Sequence, residues 1–146
     1  MTQFSEAEIQ QIKEVHKEIE DIAYDLFLLS ETQLEETAGL ELLVFATFCF
    51  GIINEIALMK KLSSIQTYVI TSLLLLTVFH YSEDQIDEIV QELFNTKDEH
   101  HPSLMYEITQ RGMLGYHQYI NDDLNDLKEN LLDALAVAKE KGEEVI

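Results

Sequence analysis

Leu40-Glu41-Leu42-Leu43-Val44-Phe45-Ala46-Thr47-Phe48-Cys49-Phe50 and Tyr68-Val69-Ile70-Thr71-Ser72-Leu73-Leu74-Leu75-Leu76-Thr77-Val78-Phe79 are two apolar blocks within one stretch, residues 39–81. The only Asp, Glu, Lys or Arg residues of that stretch are Glu41, Glu55, Lys60 and Lys61, which cancel, so the flanking segments carry the whole formal charge of −19. A membrane span needs roughly 20 predominantly apolar residues. The first block contains Glu41 and runs into Asn54 and Glu55, and the second gives out at His80 and Ser82. Two core helices, with no membrane, are the expected reading.

Working outward, a Ser followed three residues later by Glu or Gln marks a helix start, because the hydroxyl caps a backbone N–H and the longer side chain reaches back. Ser5/Glu8, Ser30/Gln33, Ser63/Gln66 and Ser82/Gln85 fit that pattern, each ahead of an apolar-periodic segment. They divide the chain into helices. The first is expected over residues 6–29, with Ile9, Ile12, Val15, Ile19, Ile22, Leu26 and Leu29 in one stripe. At 100° per residue, Glu14, Glu18, Asp21 and Asp25 form a second line about 110° round the same helix.

A second helix is expected after Ser30, with Glu31, Glu35 and Glu36 near its positive end, a bend around Gly39 and a finish near Lys61. Glu55 and Asn54 are expected to reach solvent near that finish; if buried, Glu55 needs a partner. The third helix, residues 64–80, has too little periodicity for an outer face to be assigned, as in a helix surrounded by others. The fourth, residues 83–94, turns Ile86, Ile89, Val90, Leu93 and Phe94 inward and carries Glu83, Asp84, Asp87, Glu88 and Glu92 elsewhere. Residues 95–102 read as a loop, with Pro102 in the first turn of a fifth helix. That helix contains Gly112 and Gly115, each unfavourable by about 1 kcal/mol relative to Ala, so a kink or a close helix contact is expected there. The last helix, residues 122–141, repeats Leu124, Leu127, Leu131, Leu135 and Ala138, with Gly142 as its stop. The fold class is therefore all-α: about six helices around two apolar central ones. Residues 1–146 show no repeat or boundary and read as a single domain.

Twenty-eight acids against nine bases, with Arg111 the sole arginine, leave no basic patch for phosphates and argue against nucleic-acid partners. An anionic membrane surface repels such a chain, whereas a basic protein partner is attracted and steered. Cys49 is the only cysteine, which rules out an internal disulfide and fits a reducing compartment. The first residues have neither the basic start nor the apolar run of a signal peptide, so a cytoplasmic location is expected.

Catalytic constellations are thin. His80 and Glu83 straddle a helix start, and His100 and His101 with Asp98 and Glu99 form only a loop cluster. Neither supplies the three or four converging ligands of a transition-metal site, and Glu-x-x-His is absent. Arg111 and His117 match the Arg-x(4–6)-His spacing of helical HEPN ribonucleases. Gly112 replaces that family's polar residue, and the acidity would repel RNA. Phosphate-binding glycine loops, nucleophile elbows and Cys/His triads are missing. No cofactor is expected.

Tyr106, Tyr116 and Tyr119 cluster on the fifth helix, and tyrosine is enriched at interaction surfaces. The reading is a small, acidic, non-enzymatic binding protein, of the kind bacteria pair with toxins as immunity proteins or antitoxins. Its partner would be a basic protein such as a cognate toxin. The expected contact residues are Glu14, Glu18, Asp21, Asp25, Glu83, Asp84, Asp87, Glu88, Tyr106, Tyr116 and Tyr119. The alternatives are a helical homodimer and, further off, an enzyme or ligand carrier with a pocket near Cys49, Glu55 or His80.

Overall fold

Local capping signals do much of the sorting of this chain into helices. The computed structural model describes residues 4–33, 37, 39–95 and 104–145, with backbone alone for 142–145. Among the described residues there are six helices: α1 (Glu6–Leu29), α2 (Gly39–Lys60), α3 (Ser64–Thr77), α4 (Glu83–Asn95), α5 (Leu104–Ile120) and α6 (Leu124–Val145). No strand occurs among the described residues, and the fold is an all-α bundle. Both halves of the capping box form at Ser5/Glu8 and at Ser63/Gln66. At Ser82/Gln85 the same two bonds measure 2.9 and 3.3 Å.

Ser30 behaves otherwise. It ends α1 rather than starting a helix: its N–H donates to Leu26 and its hydroxyl to the Phe27 carbonyl. Glu31 then takes a left-handed φ of 58°, and α2 begins only at Gly39. Of the acids expected at the head of the second helix, Glu31 lies in the turn, and Glu35 and Glu36 fall outside the described residues. Pro102 and the His100/His101 cluster fall outside them too. Gly142 does not stop the last helix, whose backbone continues to Val145.

α2 is the axis. Every residue from Val44 to Asn54 is buried, and Thr47, polar among apolar neighbours, donates its hydroxyl to the Leu43 carbonyl one turn back. Long and apolar enough on length and composition to cross a membrane, α2 has 67% of its most apolar window enclosed by the other helices. Phe27 of α1 stacks on Phe45 at 4.3 Å.

α5 lies against α2 with backbone touching backbone. A Cβ on Gly51 would collide with the Thr109 carbonyl, and one on Gly112 with the Phe48 carbonyl. The two glycines face each other, which is the close helix contact that Gly112 foreshadowed. Gly115 leaves room for the Phe48 ring in the same seam, 2.7 Å from where its Cβ would be. Asn130 of α6 closes the other side of α5, donating to the Arg111 carbonyl at 2.8 Å and to Gln118 at 3.1 Å.

α3 differs from its expected enclosure. Ile70, Leu74 and Leu75 are buried, but Ile65, Tyr68 and Leu76 are exposed, so the helix has an outer face and that face is apolar. Gln66, besides capping α3, donates to the Glu8 carbonyl and to Gln11 of α1, which ties the two helices end to end.

Candidate functional site

The acidic line on α1 and the tyrosines of α5 meet along one seam. The Tyr116 hydroxyl donates to Glu18 Oε1 at 3.0 Å, and the Tyr119 hydroxyl donates to Asp25 Oδ2 at 2.7 Å. Both pairs lie in the same order along the two helices, so two carboxylates that would wave freely on an isolated helix are held by phenols from another. Hydrogen bonds to a charged acceptor are short and roughly twice as strong as neutral ones. Burial and the adjoining carboxylates push the hydroxyls of Tyr116 and Tyr119 up to about 12 each, so they stay donors throughout the physiological range.

Glu18 also bonds beyond this seam. Its Oε2 lies 3.5 Å from Lys60 Nζ at the end of α2, so one carboxylate joins α1, α2 and α5. On α2, Glu55, whose side chain is only 17% exposed, meets His117 Nε2 of α5 at 3.2 Å. Glu55 and Asn54 were expected in solvent; instead Asn54 is buried and Glu55 has the partner its burial requires. The sequence set His117 beside Arg111 and missed its pairing with Glu55, because that partner belongs to a different helix.

Glu14 and Asp21 complete the acidic line from exposed positions, accepting from Gln10 at 3.2 Å and Lys17 at 3.2 Å along the same helix. The seam ends in a hollow of about 530 Å³ lined by Asp25, Leu28, Leu29, Tyr119, Asp122 and Leu124. Asp122 occupies the turn between α5 and α6 with φ 60°, a left-handed geometry that Asp tolerates better than most residues. Leu28 projects into solvent at its rim, 76% exposed. Carboxylates with an apolar floor suit a long cationic side chain, whose methylenes pack while its head binds oxygen.

The remaining expected contact residues stand apart. Glu83, Asp84, Asp87 and Glu88 are exposed on α4, which packs on α3 rather than along the α1–α5 seam. Tyr106 lies half-buried near the start of α5, about 15 Å along the helix from Tyr116 at the usual rise.

Arg111 and His117 turn to different partners. Arg111 turns to Asn130 of α6 at 3.4 Å and Glu107 of its own helix at 4.0 Å, whereas His117 turns to Glu55 of α2. The Cys49 thiol is fully buried, and desolvation pushes it up to about 12, far from a reactive thiolate. Among the described residues no group of three or more His, Cys, Asp or Glu side chains could hold a metal ion.

The molecule is thus a small acidic helical bundle with a tyrosine-braced carboxylate seam. The chain belongs to the Immunity protein 48 family, whose model matches residues 7–139. That span runs from the first turn of α1 to the last third of α6 and includes every residue of the seam. Membership supports a function of the immunity-protein type and implies a protein partner. No curated protein and no solved structure matches the chain.

Proposed function

We propose that this protein is a non-enzymatic inhibitor that binds a basic cognate toxin in the cytoplasm through the α1–α5 seam. Membership of the Immunity protein 48 family carries the reading. The seam adds its chemistry: Glu18 and Asp25 are fixed in place by Tyr116 and Tyr119, so little side-chain freedom is lost when a cation meets them. Glu14 and Asp21 supply the field around them, and a formal charge of −19 steers a basic protein toward the surface. In the hollow, the aliphatic stem of a toxin lysine or arginine lies on Leu28, Leu29 and Leu124 while its head reaches Asp25 and Asp122. Inhibition follows by occlusion, with the basic surface the toxin needs covered by carboxylates.

The experiment is co-expression with the protein encoded beside this gene. The expected result is rescue of a growth arrest and co-purification at low salt, with Asp25→Lys plus Asp122→Lys abolishing both while the variant's circular dichroism is unchanged. Rescue by that double variant at the wild-type level would remove the seam from the mechanism.

A further inference from the structure

The outer face of α3 is mainly apolar, with Ser72 a small polar residue between Tyr68 and Leu76. Ile65, Tyr68 and Leu76, exposed by 46%, 41% and 48%, follow one another at spacings that keep them on one side of the helix, and Val69 and Leu73 lie half-buried beside them. Between this stripe and α4 runs a groove of about 350 Å³, floored by Val69, Leu73 and Ile86 and rimmed by Glu83 and Asp87. The Tyr68 ring closes one end against Phe94 at 5.8 Å.

The two helices that form the groove carry charge of one sign. α3 has no charged residue, and α4 carries Glu83, Asp84, Asp87, Glu88 and Glu92 without a single lysine or arginine. A helix end at Glu83 and Asp84 accounts for two of those acids through the helix dipole, but not for Asp87, Glu88 and Glu92 further along. A second copy laid on this face would bring five more carboxylates against these, so the charge selects against self-association and for a cationic occupant.

We infer that the α3–α4 groove is a second docking surface, which takes a basic amphipathic helix by burying its apolar side on Tyr68, Leu73 and Leu76 and pairing its lysines with Glu83 and Asp87. Helix-in-groove recognition uses this combination of apolar anchors and charged margins. The toxin is the source of that helix, and only this attribution rests on the function proposed above; the groove's selectivity is a property of α3 and α4.

The test therefore uses no toxin. The probe is a synthetic 15-residue peptide with leucine on one helical face and lysine on the other, beside a scrambled peptide of the same composition, each titrated into the labelled full chain while amide spectra are recorded. The expected result is saturable binding of the amphipathic peptide at least tenfold tighter than of the scrambled one, with shifts concentrated in α3 and α4. Leu76→Glu and the pair Glu83→Lys with Asp87→Lys should each weaken it at least tenfold. Glu129→Lys with Asp133→Lys, which changes charge equally at exposed positions of α6, should leave it within a factor of about two. Equal affinity for both peptides, equal weakening by the α6 pair, or shifts spread along α1 and α5 would overturn the assignment, as would dimerisation of the free chain through this face in sedimentation.

Discussion

Glu18, Tyr116 and Tyr119 are side chains that tie α1 to α5. Glu18 reaches Tyr116 across 98 positions of sequence and Lys60 at the end of α2. The exposed ion pair with Lys60 is worth at most about 1 kcal/mol; the phenol bonds hold the carboxylates in place. Burial of the two phenols, together with the carboxylates beside them, also leaves a pH signature. An unfolded tyrosine loses its proton near pH 10, whereas Tyr116 and Tyr119 in the fold do so near 12. Between those values the unfolded chain binds fewer protons than the folded one, so stability must fall as pH rises. Each contribution is complete below about pH 10 and gone once pH has passed 12. Urea midpoints measured from pH 9 to 12 should drop more steeply for the wild type than for Tyr116→Phe with Tyr119→Phe. Parallel slopes would mean that the phenols do not bond the carboxylates. The sequence showed the acidic line and the tyrosine cluster separately, because each is periodic on its own helix. That they meet is a long-range fact and could not be read from either.

At the scale of elements, the α2–α5 contact is the most demanding. Gly51 and Gly112 let two backbones touch, so Gly112→Ala gains about 1 kcal/mol in helix propensity but must force the helices apart. Overpacking typically costs 1–3 kcal/mol, and here the obstacle is backbone that cannot swing away, so a net loss of about 2 kcal/mol is expected in chemical denaturation. A gain in stability would place α5 elsewhere. Gly112 stood out in the sequence as an unfavourable residue within a helix, whereas Gly51 was hidden in an apolar block. Caps were legible wherever the reciprocal bonds are local, as at Ser5, Ser63 and Ser82. The same pattern misled at Ser30, because a serine followed by glutamine can also end a helix when its hydroxyl donates to a carbonyl three residues back. The outer face of α3 escaped notice for a different reason. Periodicity finds a surface by its polarity, and this surface is apolar.

Across the whole molecule, the neutral 39–81 stretch supplies the buried axis in α2 and an apolar outer face on α3, and most of the acids lie on the other helices. α2 supplies the axis, α1 and α5 the braced seam, and α3 and α4 a groove with a rim of one charge. The composition was legible as a small acidic bundle of the immunity type, and the family match over residues 7–139 agrees with it. Which acids work together was not legible, since 28 of them make proximity uninformative until the helices are packed. The central claim is that braced carboxylates on the α1–α5 seam bind the toxin, and calorimetric titration of the cognate toxin at 50 and 300 mM salt tests it directly. The account predicts that affinity falls at least tenfold between the two salt concentrations. It further predicts that Glu18→Gln with Asp25→Asn weakens binding by about 3 kcal/mol at low salt, as expected for loss of close charged contacts at an interface. Affinity that is indifferent to salt and unchanged in that double variant would contradict it.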